Sequence, residues 1–352
     1  MASEEIFQTI VQKSRKIGQS LSSFGESQNF DDLFYILPDR ENAPEVKLNI
    51  SRVKGGYVVL EPGRDGLIFD SDGEIIKEST AWSSGDHIKY NISTLRDTAR
   101  DINGPVFVAI DSAWTNYYHW VILSLCKAAV CASVLPSDFK CIFPDFRLRT
   151  QRGHSARFSY DVWLQTLLRF DLFSKSHILD DGVYRFDEIY YAHVNHKQPA
   201  YITYMGQLYD VARKLRSNIG ISEEQTNKFV IKRIDNKRIN SKFERICEKL
   251  IEEHGYKPIH LERMNFYDQC ASFRTAKIIV APHGAGLSNM ILGSRHLKIL
   301  ELNSYVDRDN FLRPWFYMIS EGMGQKYRYI NISTHDGGFD DMIKSIIDYE
   351  NC

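Results

Sequence analysis

Residues 278–293 read IIVAPHGAGLSNMILG, and the types gathered there are those of an anion site. Gly284, Ala285 and Gly286 leave room for a ligand to approach the backbone, and such turns often use the positive φ that glycine tolerates. His283 adds a donor, and a cation when protonated, while Asn289 can bond a sugar hydroxyl or a phosphate oxygen. Ile278 to Ala281 have the look of a core strand, and Leu287, Met290, Ile291 and Leu292 recur at helical spacing. A strand leading through such a loop into a helix aims backbone N–H groups and the positive end of a dipole at one place, where phosphate is the expected ligand. The next strand, KILEL, carries Glu301 to its carboxyl end, where a carboxylate can accept both hydroxyl hydrogens of a ribose. A plain tight turn is the competing reading of the loop, and a rim salt bridge that of Glu301.

Two further stretches carry chemistry. IKRIDNKRIN places Lys232, Arg233, Lys237 and Arg238 after another strand; Arg233 and Arg238 are the expected pyrophosphate clamps, with Asn240 a helix cap. DSAWTNYYHW, Asp111–Trp120, sets His119 at the start of a buried helix, and an imidazole there suits a general base for a hydroxyl. Asn116 and Tyr118 beside it are residue types of carbohydrate contact, although a histidine among aromatics is often only a packed core residue. Asp70-Ser71-Asp72 spells a DxD, the pattern by which many sugar transferases hold Mn²⁺ or Mg²⁺. Its setting, LIFDSDGEII, is instead that of a hairpin turn with Asp72-Gly73 at the tip. No GxSxG elbow and no HExxH is present, and no metal is expected. Gly284 to Asn289 also supply two-thirds of a dinucleotide GxGxxG, but that fingerprint belongs to the first βα turn of its domain, and here the loop follows the third strand.

The elements that must position these groups fall into two textures. The chain of 352 residues, 43% hydrophobic and 25% charged, is long enough for two domains, and its 44 Lys and Arg against 45 Asp and Glu exclude a global field for nucleic acid. Residues 45–90 alternate between short apolar stretches and Gly or Asp-Gly turns, as an antiparallel β meander does. From 228 onward strands and helices alternate regularly, which implies a parallel, doubly wound sheet with ligands at the carboxyl ends of its strands. The polar bridge SNIGISEE divides the chain into an N-terminal domain, 1–220, and a C-terminal one, 221–335. Residues 336–352 form an amphipathic helix that could pack on either domain and is expected across or back on the N-terminal one. The six cysteines lack CxxC spacing and read as reduced core thiols. No signal peptide and no stretch of about 20 apolar residues is seen, so a cytoplasmic protein is expected, at most peripheral to a membrane. In that compartment the sequons at Asn91 and Asn331 carry little meaning.

Together, NYYHW and LERMNFYDQCASFRTAKIIVAPHGAGLSNMILGSRHLKILELN resemble glycosyltransferase family 61. The resemblance covers most of 105–335, densest at 228–302, with Lys232 standing where Ser is common in the family's basic motif. It implies an α/β fold of the GT-B kind, two Rossmann-like domains facing a cleft, and an inverting transfer from a nucleotide-sugar, usually UDP-linked and with xylose a leading candidate, to a glycan hydroxyl. On that resemblance domain 1–220 is the acceptor side and 221–335 the nucleotide-sugar side, where the donor is met by Arg233, Arg238, His283 to Gly286, Asn289 and Glu301. Asn116 and Tyr118 meet the acceptor, His119 is the base, and Asp111 is a rival base or its orienting partner. Basic side chains and helix N-termini neutralise the leaving diphosphate in GT-B enzymes, so no divalent ion or other cofactor is expected. A non-catalytic nucleotide-sugar-binding protein, or less readily an NAD-dependent oxidoreductase, is the alternative.

Overall fold

The computed structural model describes residues 4–12, 46–80, 91–154, 156–194, 205–217, 219–220, 225–234, 241–303, 315–332 and 338–352. The described residues fall into two compact units, those up to 194 in the first and those from Met205 in the second, which puts the helix preceding the SNIGISEE bridge in the second unit.

The first unit is built on a seven-stranded sheet ordered β1-β2-β7-β4-β5-β6, with β3 paired to β2. β1 (Glu4–Gln12), β2 (Val46–Leu60), β3 (Leu67–Phe69) and β7 (Gly182–Val194) make its antiparallel part. β4 (Arg100–Val108), β5 (Lys140–Pro144) and β6 (Ser176–Leu179) continue it in parallel from β7. The expected meander differs in one respect. The stretches EVKLNISRV and GYVVLEPG, which read as separate short strands, fall on a single strand of 15 residues, β2. Gly55 has φ +65°, yet Lys54 pairs with Glu188 and Gly56 with Phe186, so the long partner β7 carries the register through the apparent turn.

Helix α1 (Ile92–Thr98) closes over this region, and Leu95 joins Tyr57, Val59, Leu67, Phe69 and Val183 in a small core. After β4 comes a π-helix, His119–Cys126, that runs directly into α2 (Lys127–Cys131). Its residues from Trp120 to Cys126 are all buried, as the unbroken apolar run VILSLC requires of a helix with no polar face. α3 (Phe146–Gln151) and α4 (Tyr160–Arg169) are capped by the Asp145 carboxylate and the Ser159 hydroxyl, residue types that satisfy open N–H groups at a helix start.

The second unit is a doubly wound sheet. Its strands are β8 (Asn227–Ile231), β9 (Lys257–Ile259), β10 (Ala276–Pro282), β11 (Lys298–Asn303) and β12 (Lys326–Asn331), ordered β12-β11-β10-β8-β9 and parallel throughout. Counted within this unit the order is 2-1-3-4-5, so the winding reverses between β8 and β10. In such sheets the crevice that binds ligands opens at the carboxyl ends of the strands flanking the reversal.

Around the sheet lie α5 (Met205–Ser217), α6 (Ser241–His254), α7 (Phe266–Thr275), a 3-10 helix (Ala285–Leu292), α8 (Trp315–Met323) and α9 (Phe339–Asn351). One face of the sheet presents Val230, Ile278, Val280, Leu300 and Leu302 to Phe243, Ile246 and Leu250 of α6 and to Met342, Ile343 and Ile346 of α9. The last helix therefore packs on the sheet of its own unit. Its end is pinned by lysines from the amino edge of the sheet: Lys228 and Lys277 reach the Glu350 carboxylate at 3.1 and 3.3 Å, and Lys298 donates to the Glu350 carbonyl at 2.7 Å.

Candidate active site

Two clusters carry the residues singled out by the sequence, one in each unit. In the second, β10 delivers the glycine loop to the reversal point. Alternation along the strands puts Ala281 opposite Glu301, and His283, two residues further, lies on the same side of the pleat. His283 Nδ1 is 2.6 Å from Glu301 Oε1, and Tyr327 Oη donates to Glu301 Oε2 at 2.7 Å. Glu301 has no exposed surface and His283 is 7% exposed. The Glu301 carboxylate, expected to meet a ribose, thus has both oxygens engaged inside the protein. Phe316 of α8 packs edge-on against the His283 ring, with centroids 5.3 Å apart.

Arg233 arrives from the end of β8, on the other side of the reversal, and its Nη2 donates to the His283 carbonyl. A Cβ at Gly284 would overlap that guanidinium. With φ 163° and ψ 167° Gly284 is simply extended, so what a side chain there would disturb is the placing of the Arg233 guanidinium, which would have to move aside. Gly286 is likewise crowded, since a Cβ there would sit 2.8 Å from Leu261 Cδ1. The segment that follows is a 3-10 helix starting at Ala285, tighter than the α-helix its spacing suggests.

Asn289 is turned inward: its Nδ2 donates to Gln269 Oε1 at 2.8 Å, and Gln269 in turn donates to the Leu261 and Met264 carbonyls. This chain ties the loop to α7. Lys232 is drawn away by Glu244 of α6 at 2.7 Å, which raises its pKa above the ordinary lysine value. Lys237, Arg238 and Asn240 lie outside the described residues.

In the first unit the loop after β4 brings Asp111, Asn116, Tyr118 and His119 together. His119 Nδ1 is 3.3 Å from Asp111 Oδ2, with the side chains 12% and 13% exposed. Asp111 Oδ1 accepts the Ala113 N–H at 2.8 Å and Asn116 Oδ1 the Tyr118 N–H at 2.9 Å, two local turns that lead into the π-helix at His119. π-helical turns are rare and concentrate at functional sites. Lys127 at the start of α2 has its pKa lowered by burial, against the opposing charge of Asp111. Tyr118 is buried, so its ring belongs to the wall of this cluster.

A support that no motif announces sits behind the loop. Arg149 of α3 makes a two-pronged bond with Asp65, both arms at 2.6 Å, and Trp114 Nε1 donates to the same carboxylate at 2.8 Å. Arg149 Nε also reaches Asp181 at 2.6 Å. Burial pushes the Asp65 carboxyl up from its ordinary value, against the pull of Arg149 and Trp114. Trp114 stacks edge-on with Trp120, which is packed against Phe143 and Trp163. Pairing across 84 residues leaves no periodic signal in a sequence.

Asp70 serves its turn: Oδ1 accepts the N–H groups of Asp72 and Glu74, both at 2.9 Å, and Gly73 has φ +84°. Among the described residues no group of three or more His, Cys, Asp or Glu is placed to hold a metal ion, and no helix is long and apolar enough to cross a membrane. Five of the cysteines are buried and Cys352 is exposed; burial pushes the Cys131 thiol up to about 12.

Residues 117–300, from the His119 cluster through the glycine loop to β11, match the family model Glycosyltransferase 61. No curated protein matches the chain.

Proposed function

The chain belongs to glycosyltransferase family 61, and from that premise we propose an inverting, metal-independent transferase. It moves a sugar from a nucleotide-sugar, UDP-linked with xylose the first candidate, to a hydroxyl of a glycan acceptor in cell-surface polysaccharide or glycoprotein glycan synthesis. The observation that carries this reading is the meeting of Arg233, His283 and Gly284 at the carboxyl ends of β8 and β10, where the strand order reverses. A GT-B arrangement of the two units and a cytoplasmic location are part of the same proposal.

The second unit holds the donor. Arg233 and His283, with Arg238 as the second clamp and the N–H groups that open the 3-10 helix, take up the charge that grows on the β-phosphate as the sugar leaves. The acceptor is held in the first unit by Asn116 and Tyr118. The acceptor oxygen attacks C1 of the sugar as the bond from C1 to the phosphate oxygen breaks, with inversion. His119 takes the hydroxyl proton, and Asp111, 3.3 Å from its Nδ1, supports the charge it then carries. The diphosphate departs with the bonding pair, and cationic side chains supply the neutralisation that a metal ion gives elsewhere.

The test is a thermal-shift screen of UDP-, GDP-, CMP- and dTDP-sugars, with NAD as control, in EDTA and then in Mn²⁺. A ligand present at about 100 times its dissociation constant stabilises the native state by roughly 2.7 kcal/mol. The expected result is a shift with a UDP-sugar that EDTA leaves unchanged and that His283→Ala abolishes. A shift that needs Mn²⁺ would overturn metal independence, and a shift with NAD alone would overturn the donor site.

A further inference from the structure

Glu301 touches the His283 that opens the glycine loop, yet it is closed to solvent and engaged from two sides. His283 Nδ1 stands 2.6 Å from one oxygen and Tyr327 Oη 2.7 Å from the other. Its oxygens could accept further hydrogen bonds, but at 0% exposure it has no surface at which to receive ribose hydroxyls unless the protein around it opens. A buried carboxylate is retained when donors satisfy it, and losing one donor leaves an uncompensated charge. Tyr327 is a committed donor, since burial first and the neighbouring Glu301 second raise its phenol well above the ordinary value. The three groups come from three adjacent strands: Tyr327 is the second residue of β12, paired with Ile299, Glu301 lies within β11 and His283 follows the end of β10. Arg233 holds the His283 backbone from the β8 side, and Phe316 abuts its ring.

We infer that Glu301 and Tyr327 are a positioning pair that accepts the Nδ1–H of His283 and fixes the ring, so that the imidazole, when protonated on both nitrogens, presents its Nε2–H to the donor diphosphate. An ionised carboxylate only accepts, so the hydrogen between the two belongs to the imidazole. Orientation by a carboxylate is the device that sets tautomer and ring position in catalytic triads. Tyr327 acts one step further out, by holding Glu301 in place. This rests on the nucleotide-sugar reading, and it removes Glu301 from the set of groups that touch the nucleotide.

The experiment uses the full chain with ¹⁵N-labelled histidine, His283→Ala for assignment, and UDP as the probe, with GDP, CDP and dTDP run alongside. Long-range ¹H–¹⁵N spectra report which ring nitrogen carries the proton. Expected are a protonated Nδ1 in the unliganded protein and a UDP-induced change at Nε2. In Glu301→Leu/Tyr327→Phe the Nδ1–H signature should be lost and UDP affinity should fall about tenfold or more, the scale of a hydrogen bond to a charged group. Replacing Glu301 together with Tyr327 avoids leaving the Tyr327 hydroxyl without its acceptor, and Tyr327→Phe alone, which removes one oxygen, serves as a milder second variant with a smaller change in the same direction. Glu301→Gln, which keeps an oxygen for Nδ1–H, should rescue part of the loss. The same series with 2′,3′-dideoxy-UDP should show an equal fold-change. A loss that disappears with the dideoxy nucleotide, or an Nδ1 that bears no proton, would overturn the inference in favour of a ribose contact. Failure of the wild-type chain to bind any nucleoside diphosphate would overturn the donor site instead, while the tautomer of the unliganded protein still decides the role of Glu301.

Discussion

His119 and His283 each face a carboxylate, but in different surroundings. The Asp111–His119 pair is longer, at 3.3 Å, and reaches solvent; the Glu301–His283 pair is 2.6 Å and buried. The first suits a group that takes up and releases a proton, the second one that is held still. His119→Ala is therefore expected to lower kcat by roughly 10²–10⁴-fold while the dissociation constant for UDP stays within about twofold of wild type, measured by transfer assay and titration side by side. An equal loss in both would return His119 to the packed core. At Gly284 the constraint is Arg233. Gly284→Ala and Arg233→Ala should each weaken UDP binding by about tenfold or more, and the double variant should be scarcely worse than either, because both disturb one contact. Additive losses would mean that the glycine has another purpose.

At the scale of elements, the loop from Asp111 to His119 is held from behind by parts distant in sequence. Asp65, in the turn between β2 and β3, and Arg149 of α3 form a pair only 1% and 2% exposed, and Trp114 ties the loop to it. Removing one member leaves a buried charge, at a cost of about 3–5 kcal/mol. Arg149→Met should lower the melting temperature accordingly, and Asp65→Asn/Arg149→Met should recover much of it. Gly66 supports the same place: its φ is +79°, and a Cβ would lie 2.5 Å from the Ile110 carbonyl oxygen, just ahead of Asp111. Gly66→Ala should destabilise by about 1–3 kcal/mol and lower turnover more than UDP affinity. Unchanged stability would show that the turn can yield. The strand β2 teaches a related point. Lys54-Gly55-Gly56 reads as a hairpin because glycine pairs mark turns, yet a single 13-residue partner, β7, holds both halves in one register. Local propensity lost to a long-range pairing.

For the whole molecule, the two units predict two responses. Nucleotide binding should slow hydrogen exchange in β8, β10 and the 3-10 helix while leaving β2 and β7 of the first unit unchanged, since only the second unit carries the donor loop. Protection spread evenly over both would contradict a donor site confined there. Acid should act on the second unit through Glu350. Burial raises the pKa of its carboxyl, but bonds from Lys228, Tyr256 and Lys277 outweigh burial and bring it below the ordinary value. A depressed native pKa means that the unfolded chain binds the proton first. The stabilisation is therefore complete above the unfolded carboxyl range and is lost as pH falls through the lower native value. Glu350→Gln should lower stability at neutral pH and flatten its decline on acidification, read from urea midpoints across pH 3–7. A decline as steep as in wild type would place the acid sensitivity elsewhere.

Features that repeat or lie close together along the chain were readable from it. Alternation of strands and helices after residue 228 announced the parallel sheet, because burial on both faces demands apolar runs at these spacings. The glycine loop and its chemistry were legible because its residues are consecutive, and the family match runs over the same stretch. Only the tertiary structure decided which of those residues touch each other. Strand order set β8 beside β10 and so laid Arg233 on Gly284; pleat and register turned Glu301 toward His283 and Tyr327 rather than outward. Asp65 and Arg149 met for the same reason. A pairing across many residues depends on how sheets close and helices pack, and no spacing along the chain encodes it.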